Sequence, residues 1–111
     1  MENLFENIAH AAGAESFVDL LTRPGLRIER IVSTGQATPP GQLLKQAWDE
    51  WVLLLTGAAG LWMEGANERR LAPGDHLLIH AGRPHRVTWT DPGRETIWLA
   101  VHMDRGQGVG P

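Results

Sequence analysis

From position 26 onward, apolar residues come in short blocks, many of them alternating with polar ones. LRIERIVS at 26–33, EWVLLLT at 50–56, GLWME at 60–64, RRLA at 69–72, HLLIH at 76–80, HRVTW at 85–89 and TIWLAVHM at 96–103 each have strand length and strand composition. The segments EGAN, APGD, HAGRP and TDPG between them carry Gly, Pro, Asn or Asp where a tight turn needs a positive φ, a fixed φ or a local side-chain hydrogen bond. Many short strands with even spacing predict an all-β sandwich or closed barrel. Ahead of them, AESFVDLL at 14–21 places Phe17, Leu20 and Leu21 at helical spacing, and the following TRPG stops a helix at about Arg23. The pattern therefore predicts one short N-terminal helix packing on a barrel.

Two of the blocks, WVLLL and IWLAV, are apolar on both faces. A small barrel with one wet face has no use for that, so something must cover the outer side. One short helix is too little, and a homodimer is the expected cover. The last eight residues, DRGQGVGP, have the Gly-rich composition of a flexible end. The chain thus divides into an N-terminal segment at 1–25, a barrel at 26–103 and a tail at 104–111. Its 111 residues suit one domain, and an apolar fraction of 42% is enough for one modest core.

Composition narrows the chemistry. With no cysteine, thiolate metal sites, thiol nucleophiles and iron–sulfur clusters are excluded, leaving His, Asp, Glu and neutral oxygens as donors. The 13 acidic and 10 basic residues give a formal net charge of -3 without a basic stripe, which argues against nucleic acid as a partner. No run approaches 18 apolar residues and the N-terminus has no basic start, so neither a membrane span nor a signal peptide is expected. The expected location is the cytoplasm.

The stretch PGDHLLIHAGRPHRVTW at 73–89 holds three of the five histidines, and strand phase separates them. If Leu77 and Ile79 point inward, then His76, Leu78 and His80 share the outer face. His85 is left to face the interior, with Val87 and Trp89 in phase beside it. Asp49 and Glu50, being adjacent, point to opposite faces and form no acid–base pair. Ser16 and Ser33 lack the Gly context of a nucleophile elbow. The tryptophans at 48, 51, 62, 89 and 98 read as core or interface residues, with Trp48 and Trp89 the candidates for stacking on a sugar.

Two spaced motifs carry a resemblance to a known family. Gly74, five residues, His80, one residue, Gly82, two residues and His85 follow the second motif of the cupins, with His80 where that motif has proline. Glu50, six residues and Gly57 match the end of the first cupin motif, whose two histidine positions fall here on Leu44 and Gln46. The chain resembles the cupins from about 42 to 85 by motif and over most of 26–103 by strand count. That resemblance implies a jelly-roll β-barrel with a pocket for a small polar organic molecule beside a divalent iron, manganese, nickel or zinc ion. By transfer from the motifs the metal ligands are Glu50 and His85. A third ligand is expected from the Gln46 amide oxygen or from His102 near the end of the last strand. The expected function is metal and small-molecule binding, with metal-dependent catalysis open to it; the alternative is a metal-free binding or interaction module of the same fold.

Overall fold

The computed structural model describes residues 1–8 and 14–104; His10 and the tail at 105–111 lie outside them. The described residues are all-β. Eight strands follow in chain order: β1 (Ser16–Arg23), β2 (Leu26–Ser33), β3 (Asp49–Thr56), β4 (Ala59–Met63), β5 (Arg69–Leu71), β6 (His76–Ile79), β7 (His85–Thr90) and β8 (Thr96–Met103). They form a five-stranded sheet in the order β1-β2-β8-β3-β6 and a three-stranded sheet in the order β5-β4-β7, with every pairing antiparallel. None of the described residues forms a helix long and apolar enough to cross a membrane.

The expected N-terminal helix is a strand instead. Phe17 pairs with Ile31, Asp19 with Glu29 and Leu21 with Ile28, and the register slips between Asp19 and Leu21. That bulge leaves Leu20 as the extra residue and puts Phe17 and Leu21 on opposite faces, breaking the period-two alternation that would mark a strand, so that the apolar spacing at 17, 20 and 21 reads as a helix. The open edge of β2 offers a full ladder of hydrogen bonds, and tertiary pairing overrides the local signal. TRPG closes a hairpin rather than stopping a helix: Pro24 is followed by Gly25 at a φ of 74°, the type II turn combination.

The core lies between the two sheets. Val52, Leu54, Ile79, Trp98 and Ala100 from the larger sheet meet Ala59, Leu61, Met63 and Leu71 from the smaller one. Strand alternation sorts the rest. Trp51, Leu53, Leu99 and Val101 point away from the core, and the outer face of the larger sheet is apolar as expected. Gly60 pairs with Arg70 and Trp89 on the outer face of the smaller sheet, where the Arg70 guanidinium lies 5.3 Å from the Trp89 ring centre.

Part of the outer face is covered by the chain's own beginning. Arg30, on β2, is 5% exposed and donates from its guanidinium to the carbonyls of Leu4 (3.0 Å), Glu6 (2.9 Å) and Asn7 (3.4 Å). Three charge-assisted bonds hold residues 4–7 on the sheet. Arg30→Met keeps the apolar stem and removes every donor. Loss of about 1.5 kcal/mol of docking energy is expected, and with it cleavage after Glu6 by a Glu-specific protease about tenfold faster. An unchanged cleavage rate would show that the arginine does not hold the segment.

Candidate functional site

A cavity of about 300 Å³ opens between the sheets. Its wall is mostly apolar, with Ile31, Val52, Leu61, Ile79 and Val87 from strands of both sheets, and two aromatic side chains, Phe17 and Trp98, complete it. The polar groups are few: Glu15, Thr38, Gln42, Glu50 and His85. A concave apolar space with a handful of polar groups is the usual form of a small-molecule site.

Glu50 and His85 share this space, each brought there by strand phase. Glu50 is the first inward position of β3, before Val52 and Leu54, and is 9% exposed. The Gln46 amide nitrogen donates to its Oε1. His85 opens β7 and is 3% exposed. Its Nδ1 lies 3.0 Å from the Arg83 carbonyl oxygen. A carbonyl only accepts, so Nδ1 carries a proton, and in the neutral ring Nε2 is the acceptor. Among the described residues nothing bonds to that Nε2. Both Glu50 and His85 Nε2 accept protons, the capacity a general base needs.

The loop before β3 is tied across this site. Leu44 and His85 exchange both backbone hydrogen bonds, at 2.7 and 3.0 Å, which seats the Leu44 side chain in the cavity wall. Thr38 is fixed in the same way, its hydroxyl accepting from the Val87 amide at 2.9 Å. Leu44 is one of the two positions where the first motif of the resembling family has histidine, so the chain supplies a methyl-bearing wall where that pattern supplies an imidazole.

His102 stands beside Glu50 in the ladder, but its ring is engaged elsewhere. Glu50 and His102 are direct cross-strand partners and so share the inner face. The Trp48 indole donates to His102 Nδ1 at 2.8 Å, and an indole N–H can only donate, so Nδ1 is the acceptor and Nε2 carries the proton. That Nε2–H donates to Glu29 Oε1 at 3.0 Å. The other Glu29 oxygen takes the Arg27 guanidinium at 3.0 Å, and Arg27 also reaches Asp19 at 3.3 Å. A closed chain of partners therefore uses both ring nitrogens of His102.

His85 Nε2 and the Glu50 carboxylate face one cavity; Gln46 turns its amide N–H toward Glu50; His102 has no free lone pair. Among the described residues no group of three or more His, Asp or Glu could hold an ion. Catalytic metal sites are built on three protein ligands, so these residues as arranged do not fit a tightly held resident ion. They fit the polar end of an organic molecule, which needs only acceptors at hydrogen-bonding distance.

The other histidines of the 73–89 stretch lie on the outer face, as strand phase predicts. His76 and His80 are exposed while Ile79 is buried at 2% and Leu77 packs on the core. His76 meets Trp51 on the outer face, ring centres 5.4 Å apart. Val87 lines the cavity as expected, but Trp89 does not. A slip in the β4–β7 register pairs Leu61 with Val87 and Gly60 with Trp89, so Thr88 is an extra residue and Trp89 is turned outward. Neither Trp48 nor Trp89 lines the cavity, which removes both from a sugar-stacking role inside it. The tryptophan that does is Trp98, whose indole donates to Ser33 at 3.2 Å, while the Ser33 hydroxyl donates to Glu15 at 2.6 Å. Glu15, Phe17 and Trp98 were not singled out by sequence reasoning. Trp98 alone had a signal, its alternation with Ala100 and His102; Glu15 and Phe17 enter the site only because β1 is a strand.

Comparison with solved structures gives a consistent picture. A protein of Ralstonia eutropha JMP134, named as a proposed mannose-6-phosphate isomerase, is 48% identical, with a TM-score of 0.89 over 94% of this chain and 97% of that one. A cupin superfamily protein from Desulfitobacterium hafniense DCB-2 matches at a TM-score of 0.72 and 16% identity, over 87% of this chain and 84% of its own. The DMSP lyase DddQ from Ruegeria pomeroyi DSS-3 matches at 0.68 and 24% identity over 87% of this chain and 49% of its own. The last two likenesses concern the fold alone. No protein-family model and no curated protein matches the chain.

Proposed function

Because the chain has the cupin fold, which does not dictate the chemistry, we propose that this protein binds one small organic molecule between its sheets. Glu50 and His85 hold the polar end and the apolar wall holds the body. The observation that carries this reading is the His85 tautomer: a buried imidazole whose Nδ1 is spent on Arg83 keeps a bare Nε2 acceptor for the cavity it lines. A phosphorylated sugar, suggested by the name of the Ralstonia protein, suits this cavity poorly. No Lys or Arg is among its lining residues, and Glu15 and Glu50 are. Two copies of the chain, joined through the apolar outer face, are the proposed assembly.

The second reading is a divalent ion held by Glu50 and His85, with the bound molecule supplying further donors. The same free Nε2 favours it, since only a neutral imidazole nitrogen coordinates. Elemental analysis after incubation with iron, manganese, nickel and zinc salts, followed by gel filtration, separates the two. Far less than one ion per chain is expected, together with ligand-induced thermal stabilisation that persists in chelator and is lost in His85→Ala. One ion per chain that His85→Ala removes would replace the first reading with the second.

A further inference from the structure

We infer that the molecule this cavity takes is an organic cation, a primary or secondary ammonium on a short apolar body. This deepens the proposed function and rests on it. The sign of the cavity is set by its lining. Glu15 and Glu50 are the ionisable carboxyls in the wall, His85 offers it an acceptor, and no lining residue is a Lys or Arg. Arg86 follows His85 on β7 and so lies on the opposite face of its strand, and Arg27 is the cross-strand partner of His102, which is itself the partner of Glu50. Arg27 does not line the cavity and is already shared between Asp19 and Glu29, so its charge is met twice over before it reaches the site.

The two carboxyls sit toward different ends. Glu50 and His102 form one rung of the ladder, while Glu15 is bonded through Ser33 to Trp98, four residues back along β8. At about 3.3 Å per residue those rungs are roughly 13 Å apart. An anion entering from either end meets a negative charge in surroundings of reduced dielectric, where like charges cost most. An ammonium meets the opposite. Its N–H donors match acceptors that are otherwise short of partners, above all His85 Nε2, which belongs to a side chain 3% exposed and has no bond among the described residues. At the Glu15 end, Phe17 and Trp98, joined through Ile31 on one rung, supply aromatic surface that also favours a cation over a neutral or anionic group of the same size.

Three four-carbon probes that differ only in the head group test this on the full chain: butylammonium, butan-1-ol and butanoate. Titration followed by NMR, reading the Trp98 indole N–H among the shifted peaks, is expected to give a dissociation constant for butylammonium at least about tenfold below that for butanoate. In the Glu15→Gln/Glu50→Gln double variant, which keeps the shape and one acceptor oxygen of each side chain while removing its charge, the preference is expected to shrink to less than about twofold. The single variants stand in if the double variant loses its dispersed spectrum, each expected to lose part of the preference. Butanoate binding as tightly as butylammonium, or a preference unchanged by the substitutions, would overturn the cation and leave the pocket. If none of the three binds, the pocket reading itself fails and the cation goes with it.

Discussion

Gly57→Ala is expected to destabilise the protein by about 3 kcal/mol or more, enough to lower its melting temperature by roughly 10 °C or to prevent folding at 37 °C. Gly57 follows β3 and has a φ of 87°, a region that residues with a side chain seldom adopt. The space is closed as well. A Cβ there would lie 2.3 Å from the Thr96 hydroxyl, 2.6 Å from the Thr96 Cα and 2.8 Å from the Glu95 carbonyl oxygen. Two of those are backbone atoms of the chain entering β8, and Thr96 is fully buried and hydrogen-bonded to both the amide and the carbonyl of Ala58. Neither side can move without breaking the turn. Gly65, at a φ of 85° with open space around it, is the control, and Gly65→Ala should cost only the backbone strain, about 1 kcal/mol. Equal losses at the two positions, measured by urea unfolding, would show that packing at Gly57 contributes nothing.

Leu53→Lys/Leu99→Lys is expected to turn a dimer into a monomer, weakening association by at least about a hundredfold. Leu53 and Leu99 are direct cross-strand partners on the outer face of the larger sheet, flanked by Trp51 paired with Val101 and with Leu78. Leu78, 38% exposed, extends this apolar surface across β6, whereas toward β1 the row passes through Arg30, the ladder partner of Leu99, with residues 4–7 bound over it. A contiguous face of this kind is rare on a monomer, and two adjacent ammonium groups at its centre would be buried unpaired in any self-association. Light scattering should give the wild type twice the 12.2 kDa of one chain and the variant a single chain mass. Because both side chains point away from the core, the variant should keep its melting temperature within a few degrees once dimer linkage is allowed for. A wild type that stays at one chain mass at high concentration would sink the assembly.

Local pattern and long-range pairing contributed unequally to what could be read in advance. The strands at 26–33 and 96–103 have the predicted bounds because their signals are local: period-two alternation, β-branched and aromatic residues, and turn residues at both ends. The inward places of Ile79 and His85 follow from the same alternation, whereas that of Glu50 was implied by the motif resemblance. Errors arose where alternation is interrupted. A bulge in β1 gave Phe17, Leu20 and Leu21 a helical look, and a bulge at Thr88 carried Trp89 from the expected inner face to the outer one. A bulge depends on the partner strand, which the residues of one strand do not specify.

What the amino-acid sequence by itself determined was seven of the eight strands, the turns between them and the alternation of faces along each regular strand, since side-chain direction in a strand is a matter of counting. Tertiary structure alone decided which of those inward groups is free to act. His85 and His102 look alike as inward histidines, but one spends Nδ1 on a neighbouring carbonyl and keeps Nε2 for the cavity, while the other is closed between Trp48 and Glu29. Trp48 precedes β3 by one residue and Glu29 lies on β2, 54 and 73 positions from His102 along the chain. A hydrogen-bond partner brought from that distance leaves no mark on local periodicity, because the contact exists only once the strands have paired.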